Sequence, residues 1–113
     1  VHMRYVDGYV LPVPKKNLRA YRRLAKNAGR IWREHGALEY REWVGDDLKV
    51  KFGLPFPRLV KAKPDETLVF AWIVFKSREH RDRVNAKVMK DPQSMPFDCK
   101  RMAWGGFKML VDA

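Results

Sequence analysis

Leu68 to Phe75 is an unbroken run of eight apolar residues, and no other stretch constrains the fold as much. It is too short for a membrane-spanning helix, which needs roughly 20 such residues. Rich in Val, Ile, Phe and Trp, it reads as a strand, Thr67 to Lys76. A strand with one solvated face alternates apolar and polar residues, so an uninterrupted run predicts cover on both sides.

The first strand, Arg4 to Val13, has the same character, and Pro12 and Pro14 are expected to close it. Tyr5, Asp7, Tyr9 and Leu11 share one face, Val6, Gly8 and Val10 the other, and both faces are largely apolar. From Lys15 the period becomes helical. Leu18, Tyr21, Leu24, Ala28, Ile31 and Trp32 trace one stripe, with Arg19, Arg23, Lys26, Arg30 and Arg33 opposite, and Gly36 ends the helix. Leu38 to Gly45 alternates as a strand. Asp46 to Glu66, interrupted by Gly53, Pro55, Pro57 and Pro64, reads as a long basic flap. Ser77 is a good N-cap for a second helix with Val84, Val88 and Met89 on its buried stripe, stopped at Asp91-Pro92. A turn-rich stretch, Gln93 to Asp98, leads to a last strand, about Arg101 to Val111. Gly105-Gly106 within it suggests a bulge or a close backbone approach.

The order βαββαβ predicts an α+β, ferredoxin-like domain over residues 3–113, a four-stranded antiparallel sheet with two helices on one face. A chain of 113 residues, 46% of them hydrophobic, suffices for one such core. Val1 and His2, ahead of Met3, read as an expression remnant, and no secretory leader is seen. A lone Cys99 forms no internal disulfide and suits a reducing cytoplasm.

Two helices cover one sheet face only. Parity directs Val6, Gly8, Val10, Val69, Ala71 and Ile73 towards the helices and leaves Tyr5, Tyr9, Leu11, Phe70, Trp72 and Val74 open. Such a patch exceeds what monomers expose. A second copy can cover it and enclose a pocket, or unpaired RNA bases can stack on it. RNA-recognition modules of this topology carry a glycine-containing aromatic run on the third strand; here that strand has no glycine. A homodimer is therefore the preferred expectation.

Val6-Asp7-Gly8-Tyr9, the run His80 to Met89, and Met95-Pro96-Phe97-Asp98 through Lys100-Arg101-Met102 to Gly105-Gly106-Phe107 resemble the YbaA-like family across nearly the whole chain. The resemblance implies the dimeric α+β barrel superfamily and brings no established activity. Cys99 stands where glycine is usual there, and the stretch from Asp91 to Met95 is shorter than usual.

Asp7 is the candidate catalytic group: a mid-strand carboxylate between Tyr5 and Tyr9 on the face assigned to the interface, where desolvation raises its pKa towards acid–base work. An interface salt bridge is the competing reading. Tyr9, Phe70 and Trp72 are the expected ligand-binding residues, with plain core packing as the alternative. His35, near Glu39 and Glu42, matches no zinc spacing, and His80 is expected to be exposed; no metal or cofactor is expected. Arg81 and Asn85 are expected to bind loop carbonyls. The net charge of +11 favours anions. The leading expectation is a homodimer binding or transforming a small, anionic molecule. The alternative is RNA binding through Arg19, Arg23, Lys26, Arg30 and Arg33 with the segment 46–66.

Overall fold

The computed structural model describes residues 4–92 and 100–113. Its elements are β1 (Tyr5–Pro14), a 3-10 turn (Lys15–Asn17), α1 (Leu18–Glu34), β2 (Glu39–Val44), α2 (Phe56–Leu59), β3 (Glu66–Phe75), α3 (Arg78–Lys90) and β4 (Ala103–Lys108). The sheet is antiparallel throughout, in the order β2-β3-β1-β4. The expected βαββαβ frame is present, with one added helical turn, α2, between β2 and β3. None of the described helices is long and apolar enough to cross a membrane.

Local chemistry places the boundaries. Gly36, at φ 115°, takes the left-handed turn after α1, and the Ala37 amide bonds back to the Trp32 carbonyl at 3.0 Å. Ser77 caps α3 by accepting from the His80 amide at 3.0 Å. The prolines do not end β1: Pro12 pairs with Leu68 and Pro14 with Glu66. Pairing with β4 stops at Val10, so both stand where β1 has a neighbour on one side only, the position a strand proline tolerates. β4 is shorter than its sequence suggests.

The two strands at the centre, β1 and β3, fix the faces. Tyr5 pairs with Phe75, Asp7 with Ile73 and Tyr9 with Ala71, and directly paired residues point the same way. Tyr5, Asp7 and Tyr9 therefore face the helices, together with Ala71, Ile73 and Phe75. Val6, Gly8 and Val10 lie on the open face with Phe70, Trp72 and Val74. The expected faces hold for β3 and are reversed for β1. The physical reason is that β1 is apolar on both sides, so its pattern leaves its orientation undetermined.

The main core lies between sheet and helices: Ile31 of α1, Val84 and Val88 of α3, and Ile73 and Phe75 of β3, with Tyr5, Tyr9, Trp32 and Tyr40 around them. On α1 the buried side is Ala25, Ala28, Gly29 and Ile31, while Leu24, expected in the stripe, is exposed. A Cβ on Gly29 would lie 2.8 Å from the Tyr40 ring; the helix turns its small residues to β2 and Leu24 outwards. On the other face, Leu48, Val60 and Ala62 of the 46–66 segment cover Val10 and Leu68. That segment is a partial lid on one end of the open face.

Candidate functional site

Asp7 is wholly buried, the one fully buried charged residue among those described. Middle position in β1 places it below α3, whose polar Arg81 and Asn85 interrupt an otherwise apolar stripe at Val84 and Val88. Asn85 Nδ2 donates to Asp7 Oδ2 at a long 3.4 Å, and its own amide oxygen accepts from Trp32 Nε1 at 3.0 Å, which sets its orientation. Arg81 Nε lies 3.4 Å from Asp7 Oδ1. Arg81 Nη2 donates to the Tyr5 hydroxyl at 3.0 Å, and the guanidinium sits 5.1 Å from the Tyr5 ring centre.

This buried pair is only half satisfied. Asp7 Oδ1 and Arg81 Nε are out of solvent and lack a hydrogen-bond partner among the described residues, an arrangement that native interiors seldom leave unexplained. Burial pushes the Asp7 carboxyl up from its ordinary range, and the attraction of Arg81 with hydrogen bonds from Asn85 and Tyr9 only partly offsets it. Arg81 keeps 17% of its side-chain surface exposed and reaches Asp82 at 3.2 Å. Its guanidinium thus bridges solvent and the buried carboxyl.

Gly106, opposite Asp7 on β4, makes room for this cluster. A Cβ there would lie 2.2 Å from the Tyr5 hydroxyl and 2.6 Å from Arg81 Nη2, which bears out the close backbone approach expected at Gly105-Gly106. Both neighbours are side-chain ends that can move, so Gly106→Ala is expected to keep the fold and displace the Tyr5–Arg81 contact. The expected loss is about 1–3 kcal/mol, the usual result of overpacking, read from a denaturant melt.

Phe70 and Trp72 lie elsewhere. On the open face Trp72 is edge-on to Phe70 at 5.6 Å and tilted against Trp43 at 5.3 Å, and Phe56 of the lid reaches Phe70 at 6.2 Å. Trp72 Nε1 donates to Glu39 Oε1 at 2.7 Å, and Arg41 pairs with the same carboxylate. Those hydrogen bonds, from Trp72 first and then Arg41, hold Glu39 below its ordinary pKa. Phe107, opposite Val6, leans over Gly8 and Gly105. Trp43, Phe56, Phe70 and Phe107 are all substantially exposed.

The expectation that Asp7 and Tyr9 share a surface with Phe70 and Trp72 is therefore corrected: the sheet lies between the two pairs. Tyr9 stacks on Trp104 at 5.8 Å on the helix side. Asp7 has its cationic partner within its own chain. Among the described residues Arg81 and Asn85 contact Asp7, Tyr5 and Trp32 rather than loop carbonyls. Their signal in the sequence was a polar pair on a buried stripe, but the partner could not be named while Asp7 was assigned to the other face.

The remaining candidates disperse. His35 hydrogen-bonds Asp91 at 2.8 Å, tying the ends of α1 and α3, and does not join Glu39 or Glu42. His80 is half-buried, accepts from the Lys76 amide at 3.0 Å and packs edge-on to Phe75; burial lowers its pKa. Arg19, Arg23, Lys26, Arg30 and Arg33 stand on α1, behind the sheet, whereas the 46–66 segment crosses the open face. Cys99, the stretch from Gln93 to Asp98, and Val1 to Met3 lie outside the described residues.

A designed protein, "De novo designed protein Foldit4", superposes over 96% of this chain and 99% of its own, with a TM-score of 0.46 and 13% identity. The "Uncharacterized protein YbaA" of Escherichia coli (strain K12) is 42% identical over 116 residues, covering 97% of this chain and 99% of its own length. The protein of that name from Shigella flexneri matches to the same extent. A family profile described as "Protein of unknown function (DUF1428)" matches residues 4–104. The chain belongs to that family, DUF1428, and is a YbaA homologue.

Proposed function

We propose that the protein is a homodimer, a dimeric α+β barrel closed through the open sheet faces, and that each chain binds a small anionic molecule at Asp7 and Arg81. The observation that carries the binding reading is a wholly buried carboxylate whose Oδ1 faces Arg81 Nε at 3.4 Å as an ion pair that makes no hydrogen bond. Arg81, with 17% of its side-chain surface exposed, supplies the positive charge that attracts an anion, and its contact with the exposed Asp82 is the one an incoming carboxylate would replace. Asp7, with its raised pKa, supplies a group that can hold or release a proton beside it. Tyr5 and Asn85 position these two groups.

Self-association is supported by charge as well as by apolar area. A chain carrying +11 repels its own copies, so two copies need a surface without net charge. The open face meets that need, because Glu39 and Arg41 neutralise each other among Trp43, Phe70, Trp72 and Phe107. An isologous contact sets each such patch against its like.

Thermal-shift screening with small carboxylic acids tests the binding reading. A ligand at a hundred times its Kd stabilises by about 2.7 kcal/mol. The expected hit stabilises the parent and not the Arg81→Gln variant. Equal stabilisation of that variant by every hit places the ligand elsewhere and rejects the site.

A further inference from the structure

A second feature stands apart from Asp7, in the seam between α1 and β2. An open groove of about 390 Å³ lies there, with Arg22, Lys26, Arg30 and Arg33 along its helix wall. Its size falls within the range of small-ligand sites, about 300–1,000 Å³. Ala25 and Gly29 form the floor; the absence of a side chain at Gly29 is enforced by the Tyr40 ring beneath it. Glu42 stands on the strand wall, accepting from the hydroxyls of both Tyr21 and Tyr40. Burial, with Glu42 nearby, raises both phenols far above ordinary conditions, so they remain donors to that carboxylate.

The four cations differ in what they already hold. Arg30 is engaged by Glu34 at 2.8 Å and Asn27 at 2.7 Å. Arg33 donates to the carbonyls of Ala37 and Leu38. Arg22 and Lys26 have no ion-pair or hydrogen-bond partner among the described residues. Spaced i,i+4, they stand one above the other about 6 Å apart along the helix axis. Arg22, Lys26 and Arg30 form a ladder of like charges at that spacing, which destabilises a helix by a few tenths of a kcal/mol per pair. An anion between the rungs reverses the sign of that interaction. Arg19 and Arg23, of the same charge, do not line the groove.

We propose that this groove binds a phosphorylated small molecule carrying at least two negative charges, held by Arg22 and Lys26. Arginine grips a phosphate through its planar fork and lysine as a point charge, while the apolar floor accommodates the rest of the molecule. This site is independent of the one at Asp7.

Inorganic pyrophosphate is the probe, titrated calorimetrically into the 113-residue chain at moderate salt. One site per chain is expected. The Arg22→Ala/Lys26→Ala double variant should lose at least tenfold in affinity, and the Arg19→Ala/Arg23→Ala double variant, with the same change in net charge, should lose less than twofold. The swap Arg22→Lys/Lys26→Arg keeps both charges and should keep binding, which separates loss of the site from damage to α1. Equal losses in the two alanine doubles would show mere attraction to a basic chain and overturn the proposal. So would no heat with the parent at millimolar pyrophosphate, or binding of a single-stranded RNA that weakens equally in both doubles and falls steeply with salt.

Discussion

The Phe70→Lys variant is expected to sediment as a single chain of 13.3 kDa, and the parent is expected at twice that mass. Phe70 stands at the middle of the open face, in ring contact with both Phe56 and Trp72, and much of it is exposed in the single chain. A lysine there can reach solvent in the monomer, so the sheet is expected to form, with the loss of the two ring contacts as its cost. In a closed dimer its ammonium would meet apolar rings without a counter-ion, at a cost of several kcal/mol; about 4 kcal/mol weakens association roughly a thousandfold. Leu110→Lys is the control, because Leu110 lies beyond β4 and is 95% exposed. It is expected to keep the parent's mass. Monomer formation by both variants would show that added charge, not this face, governs association.

Asp7→Asn is expected to make the protein more stable at pH 7 and to leave it unchanged near pH 3. A carboxyl whose midpoint lies higher in the folded chain than in the unfolded one binds its proton more tightly when folded. Protonated Asp7 therefore contributes stability below its ordinary value of 3.8, and that contribution is lost as pH rises through the raised midpoint. The parent weakens across this window relative to a variant that does not titrate at that position. At neutral pH the difference is about 1.4 kcal/mol for each pH unit by which the midpoint is raised, and about 4 °C of melting temperature for each kcal/mol in a chain near this size. All other titrating groups are shared, so they cancel in the comparison. A variant less stable than the parent at pH 7 would mark Asp7 as a structural partner of Arg81, since removing one member of a satisfied buried pair is destabilising.

A residue that lowers stability and yet stands at the centre of the sheet, as Asp7 is expected to do, fits a functional role that offsets the cost. The site was partly legible in the sequence. A carboxylate between two tyrosines on an apolar strand is conspicuous, and it marks Asp7 from the sequence alone. Its partners were not legible. Arg81 and Asn85 show as polar residues on the buried stripe of α3, but linking them to Asp7 requires knowing which way β1 turns. Period two fixes a strand's faces only when the faces differ, and on β1 Val6 and Val10 are as apolar as Tyr5 and Tyr9.

Where the two faces of an element do differ, or a single residue has one conformational use, the sequence was enough. Gly36 and Ser77 marked helix ends by backbone and capping chemistry. Phe70, Trp72 and Val74 were placed on the open face correctly, because Val69, Ala71 and Ile73 suit packed helices better. The phase of α1 was off at Leu24, where close packing of Gly29 on Tyr40 turned the helix, a contact between elements that periodicity within one element does not contain. Residues 46–66 showed only their prolines and charges. Their role as a lid on Val10 and Leu68 depends on Leu48, Val60 and Ala62, apolar residues too widely spaced to trace a periodic pattern.

Asp7 is either an under-satisfied carboxyl or a settled ion pair with Arg81. Carbon-13 NMR of the aspartate side-chain carboxyl, assigned with the Asp7→Asn variant and titrated in the folded protein, reads this directly. A midpoint clearly above 3.8 is the predicted result: burial outweighs Arg81, and the group is available to exchange a proton with a ligand. A midpoint at or below 3.8 would mean that Arg81 satisfies the carboxylate fully, and the proposed site at Asp7 would fall.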